Sequence, residues 1–316
     1  MVAWGGVGVG LFFSLSGFLI ARILVNNGKS RIGIAQFIVH RTFRIYPLFA
    51  ITIVVISQCI HLRGAQDMKN FNQNLLGLLT MSHMPSWLGY SVGVLWTLQI
   101  ELQFYILAAL FCLALPVKIG LRTYLGIFLL AGTINVLGLK PALLRFHPLS
   151  DFMNKPIATY GMCLGIGVAS LLFTELHSTQ MILERTPRLI KISVLSICAA
   201  VYFRLCFSKS APIEWWDKQL VITSILGAIM IVMCVNLPTS NLLIPLALVG
   251  KISYSMYLIH ALILDYGSPF FQFSGLAHWY VFYIDTTIVS VMSYFFIERP
   301  GIRIGRYIGS RFLQAK

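Results

Sequence analysis

A single carboxylate interrupts an otherwise apolar helix in the stretch Leu95-Trp96-Thr97-Leu98-Gln99-Ile100-Glu101-Leu102-Gln103-Phe104-Tyr105, which runs on through Leu107 to Phe111. A charge at membrane depth is costly unless it is paired, hydrated or protonated, and such residues mark functional sites. Two other ionisable side chains sit in comparable runs. His260 closes Ser253-Tyr254-Ser255-Met256-Tyr257-Leu258-Ile259-His260, and Asp285 lies in the last apolar run. At a rise of about 1.5 Å per residue, all three fall roughly 10 Å below the same surface. The expectation is a polar cavity open to that side, lined by an imidazole and two carboxylates. A lone histidine in such a run is also an ordinary packing residue.

A second cluster is cationic. Arg41 and Arg44 precede Tyr46-Pro47, and their i, i+3 spacing puts both guanidiniums on one helical face. Two planar forks at a membrane mouth suit phosphates, of which coenzyme A carries three. The same pair would serve equally as a topology determinant or a lipid-headgroup anchor. Gly8-Val9-Gly10-Leu11-Phe12-Phe13-Ser14-Leu15-Ser16-Gly17-Phe18 has no strand before it and is not a nucleotide loop; its small residues suit close helix packing.

The elements that must hold these residues follow from composition. The chain is 58% hydrophobic and 11% charged, with mean hydropathy +0.81, far from the roughly 25% charge of a soluble domain. Runs of about 20 apolar residues predict nine membrane spans, at about 5–26, 44–62, 94–115, 119–138, 157–176, 189–207, 218–236, 246–266 and 278–297. Residues 71–83 are too short and polar to span and predict an interfacial or re-entrant helix. If 27–43 is an interior loop and the sides alternate, 15 Lys and Arg lie inside against 7 outside. That bias places the C-terminus in the cytoplasm and the N-terminus outside. The net charge of +14 is thereby explained by topology, and no basic helix or aromatic-interleaved patch suggests nucleic acid. The six cysteines all lie in or beside apolar runs, with neither disulfide nor metal spacing.

Several motifs fall in the order of one family. The chain resembles the acyltransferase-3 family of integral membrane O-acyltransferases. The family pattern Gly-Val-Asp-x-Phe-Phe-x-x-Ser-Gly-Phe-Leu-Ile is met by Gly8, Val9, Leu11 to Phe13 and Ser16 to Ile20. Arg-x-x-Arg-Ile-x-Pro is met by Arg41, Arg44, Ile45 and Pro47. Trp-Ser-Leu-x-x-Glu-x-x-Phe-Tyr is met by Trp96, Leu98, Glu101, Phe104 and Tyr105. Ile252 to Ser255, Tyr257, Leu258 and His260 match a fourth motif, Ile-Ser-Tyr-Ser-x-Tyr-Leu-x-His, and Glu298-Arg299-Pro300 matches the closing one. Gly10 stands where the family has aspartate. The family's opening helix, with an arginine and the histidine taken as base, would precede Met1; the expectation is a misassigned start or a truncation rather than a redesigned enzyme.

The resemblance implies an all-α polytopic bundle, ten helices in the family, with residues 1–316 as one domain in the cytoplasmic membrane. It implies acyl transfer, most often of acetyl, from acyl-CoA as co-substrate to a hydroxyl of a cell-surface carbohydrate or glycolipid, with no permanently bound cofactor. Arg41 and Arg44 would hold coenzyme A, Glu101 and His260 would be catalytic, and Ser14, Ser16, Trp96, Tyr105, Tyr254 and Asp285 would line the site. The rivals are a transporter or flippase, which also uses intramembrane acids and glycine-broken helices, and a catalytically inactive relative.

Overall fold

Helices follow the apolar runs, because in hydrocarbon every backbone polar group must find its partner within the segment. A computed structural model of the chain describes residues 4–27, 30–61, 65–81, 95–136, 157–207, 213–235, 237, 244–266 and 276–314. In chain order the helices are α1 (Trp4–Asn27), α2 (Arg31–His61), α3 (Ala65–Leu79), α4 (Trp96–Ala114), α5 (Val117–Val136) and α6 (Ile157–Thr174). They continue with α7 (His177–Arg185), α8 (Arg188–Phe207), α9 (Ile213–Val235), α10 (Ile244–Tyr266) and α11 (Leu276–Ser293). A π-helical turn, Tyr294–Glu298, then leads straight into α12 (Arg299–Gln314). No strand occurs among the described residues, so the chain is an all-α polytopic membrane protein.

Among the described residues, seven helices are long and apolar enough to cross a bilayer, or eight if the pair Tyr160–Thr174 and His177–Arg185, bent by 81°, is one broken span. Helix α8 is not among the seven; it carries Arg188, Lys191 and Arg204 within its 20 residues. The helix expected at 71–83 exists but runs from Ala65 to Leu79, and at 15 residues it is too short to span. Large apolar side chains stay exposed on the outer faces, among them Leu189 at 77%, Phe296 at 75% and Leu246 at 69%. Such faces need a lipid solvent.

The chain forms two compact units, one of residues 1–34 and 100–238, the other of 35–99 and 239–316. In the first, α1 packs against α6 and α9, and α5 and α9 pack on α6. Glycines permit this closeness. A Cβ on Gly17 would stand 2.9 Å from the Leu164 carbonyl carbon, and one on Gly167 would stand 2.8 Å from the Phe18 nitrogen. The interior is aromatic: Tyr124 stacks on Phe128 with centroids 4.4 Å apart and donates its hydroxyl to the Gly161 carbonyl at 3.0 Å.

In the second unit, α10 packs on α11, and the π turn touches α10, α11 and α12. Pro47 lies inside α2 and supplies no N–H to the Phe43 carbonyl one turn back. Helix α12 covers that carbonyl: a Cβ on Gly301 would stand 2.6 Å from the Phe43 oxygen. Gly305 and Gly309 meet Phe43 and His40 in the same way, so a glycine edge of α12 lies along the first half of α2.

Candidate functional site

Glu101 lies one turn into α4 from Trp96, and the helical period places Tyr105 on its face at i+4. Helix α1 contributes Ser16. The Ser16 hydroxyl donates to Glu101 Oε1 at 2.7 Å, and the Tyr105 hydroxyl donates to the same oxygen. All three side chains are buried, Glu101 at 8% exposure. A carboxylate with two hydroxyl donors on one oxygen holds a fixed orientation through charge-assisted bonds. Three of the expected site residues are thus brought into direct contact within the first unit.

Ser14 is not part of that contact. It is fully buried, bonds the Leu11 carbonyl at 3.0 Å and abuts Gly227 of α9. Gly10, the departure from the family's aspartate, has a packing explanation. A Cβ there would stand 2.8 Å from the Leu220 carbonyl oxygen, and Ser224 of α9 donates to the Gly10 carbonyl at 3.0 Å. A carboxylate side chain has no room between α1 and α9 in this packing.

The remaining expected residues belong to the second unit. Arg44 of α2 pairs through Nε with Glu298 Oε1 at 3.7 Å; its side chain is 40% exposed, that of Glu298 only 1%. Ser255 of α10 donates to the other oxygen, Oε2, at 2.9 Å. Its neighbour Tyr254 donates to the Ile45 carbonyl at 2.8 Å, next to Arg44 in the chain. Arg41 is half-buried on the same helix as Arg44. His260 is half-buried further along α10, with Nδ1 3.1 Å from the Met256 carbonyl. A carbonyl only accepts, so Nδ1 carries the proton and Nε2 is the basic nitrogen. Trp96 and Asp285 are half-buried on α4 and α11.

Two partners escaped the sequence reading. Glu298 is marked in the sequence only as part of the closing Glu298-Arg299-Pro300 motif; it pairs with Arg44 and accepts from Ser255, while the adjacent Arg299 lies over the Phe295 ring at 5.6 Å. Thr97 and Tyr257 share a 2.6 Å hydrogen bond that joins α4 to α10. The available signal was membership of the same motifs as Glu101 and His260.

The sequence profile of an acyltransferase domain, that of acyltransferase-3, matches residues 1–295. The chain belongs to the acyltransferase-3 family. The match spans both residue clusters up to the π turn, and Glu298 lies just beyond it. A Staphylococcus aureus protein provisionally named an O-acetyltransferase is 25% identical over 94% of this chain and 52% of its own length. The peptidoglycan O-acetyltransferase OatA of Listeria monocytogenes is 25% identical over 94% of this chain and 51% of its own length. Nodulation protein 10 of Rhizobium leguminosarum is 23% identical over 97% of this chain and 84% of its own length. This acyltransferase-3 chain therefore spans about half the length of the first two relatives. No solved structure matches it.

Proposed function

We propose that this acyltransferase-3 chain is a membrane O-acyltransferase that moves an acyl group, acetyl in the first instance, from acyl-CoA to a hydroxyl of a cell-surface carbohydrate or glycolipid. The observation that carries the reading is the buried Glu101 with Ser16 and Tyr105 on one oxygen, inside helices that the family profile covers. The O-acetyltransferase names of its relatives support the acetyl group and the carbohydrate acceptor.

In this reading Arg41 and Arg44 receive the coenzyme A phosphates at the cytoplasmic face. The acceptor oxygen attacks the thioester carbonyl, its proton leaves to a base, and the coenzyme departs as the thiol. His260 Nε2 is the base we assign, with general-base transfer worth about 10²–10⁴-fold. Glu101 holds the polar face of α4 in shape and offers a negative charge to any cation formed beside it.

The test uses the full chain in lipid nanodiscs with acetyl-labelled acetyl-CoA and fragments of peptidoglycan or lipid-linked glycan. Label appearing in the glycan as an alkali-labile ester is the expected result. Absence of both transfer and coenzyme A binding overturns the proposal. Translocation of the glycan without esterification would make the chain a transporter instead.

A further inference from the structure

A carboxylate at 1% exposure in a membrane helix needs a reason beyond stability, because burying an ion pair seldom repays its desolvation. The two oxygens of Glu298 are used differently: Oε2 accepts the Ser255 hydroxyl, while Oε1, buried without a hydrogen bond, faces Arg44 Nε as an ion pair at 3.7 Å. We infer that Glu298, steadied by Ser255, is a positioning residue that aims the Arg44 guanidinium at a coenzyme A phosphate. This rests on the acyl-CoA reading of the preceding subsection and adds a role that the motif alone does not give.

The geometry carries the argument. Arg44 meets Glu298 through Nε, the inner nitrogen, so the terminal Nη pair is left for a ligand. A guanidinium is a rigid planar fork, so drawing its Nε edge toward a buried carboxylate turns the opposite edge away from Glu298. With its side chain 40% exposed, Arg44 would otherwise sample many rotamers and lose that freedom on binding phosphate. Ser255 and Tyr254 are consecutive on α10, and their bonds to Glu298 and to the Ile45 carbonyl brace both sides of Arg44's turn of α2. The π turn places Glu298 on this line.

The experiment measures unacylated coenzyme A binding to the full chain in nanodiscs, together with KM for acetyl-CoA and for the acceptor. Glu298→Gln is expected to weaken coenzyme A binding about threefold to tenfold. It should raise KM for acetyl-CoA by the same factor and leave KM for the acceptor unchanged. Arg44→Ala should weaken binding more, and adding Glu298→Gln to it should have no further effect. Ser255→Ala keeps the carboxylate and should give a smaller loss, which guards against a folding defect in the first variant. Wild-type affinity, or tighter binding, in Glu298→Gln overturns the inference, as does an unaffected Arg44→Ala. If the wild-type chain binds no coenzyme A, it is the acyl-CoA reading that fails.

Discussion

Gly17 of α1 faces the Leu164 carbonyl of α6 backbone to backbone, with its missing Cβ position 2.9 Å from the carbonyl carbon. This fixes the height of Ser16, and with it the donor that reaches Glu101. Gly17→Ala should therefore unfold the first unit at lower temperature, by about 1–3 kcal/mol of overpacking or more. Gly250, in the exposed first turns of α10, has nothing within 4 Å of its Cβ position. Gly250→Ala should be neutral or stabilising by up to about 1 kcal/mol. Thermal unfolding of both variants in the same detergent checks the contrast.

Glu101 and its donors should behave as a coupled set. Removing a hydrogen bond to a charged group costs about 1.5–3 kcal/mol. If that cost falls on the reacting geometry, Ser16→Ala and Tyr105→Phe each lose about tenfold to a hundredfold in kcat. Glu101→Gln should lose about a hundredfold or more. The double variant Ser16→Ala with Tyr105→Phe should fall short of, or exceed, the product of the two single effects, since both act on one oxygen. Initial rates of acetyl transfer measure all four.

Lys118 and Glu175 supply the opposite case. They approach to 2.7 Å, but their side chains are 57% and 28% exposed. Solvent screening leaves such pairs worth under about 1 kcal/mol. Lys118→Ala should leave the unfolding temperature and the transfer rate essentially at the wild-type values.

Topology is open to a direct test. Counted over nine alternating spans, the bias of 15 basic residues to 7 leads us to expect the C-terminus on the cytoplasmic side. A C-terminal green fluorescent protein fusion should glow in a bacterial host, and a C-terminal alkaline phosphatase fusion should be inactive. The reverse pair of results would invert the assignment, and with it the side proposed for coenzyme A.

The helical architecture was legible because hydrocarbon leaves the chain few options, and Glu101 was legible because a lone acid stands out among leucines. Its partner Ser16 was visible only as part of a motif, since spacing says nothing about a contact 85 residues away. The partner of Glu298 was hidden for the same reason: Arg299 is adjacent in the chain, but Arg44 is adjacent in space. The 81° break after Thr174 had no proline or glycine to announce it; Leu176 simply turns extended, at φ −69° and ψ 130°. Helix α3 began at Ala65, earlier than expected, because its first turns are amphipathic rather than apolar. The layer expected to hold Glu101, His260 and Asp285 draws on both units, Glu101 from the first and the other two from the second.

The π turn at Tyr294–Glu298 carries one residue more than an α turn would, so everything after it is rotated by about 100°. Deleting a single residue there would heal the rod into uniform α-helix without altering its composition. The acid would then swing toward the acyl chains, and the glycine edge of the terminal helix would turn from its neighbour. Length, rather than chemistry, is what an insertion or deletion scan of this turn would find to be intolerant.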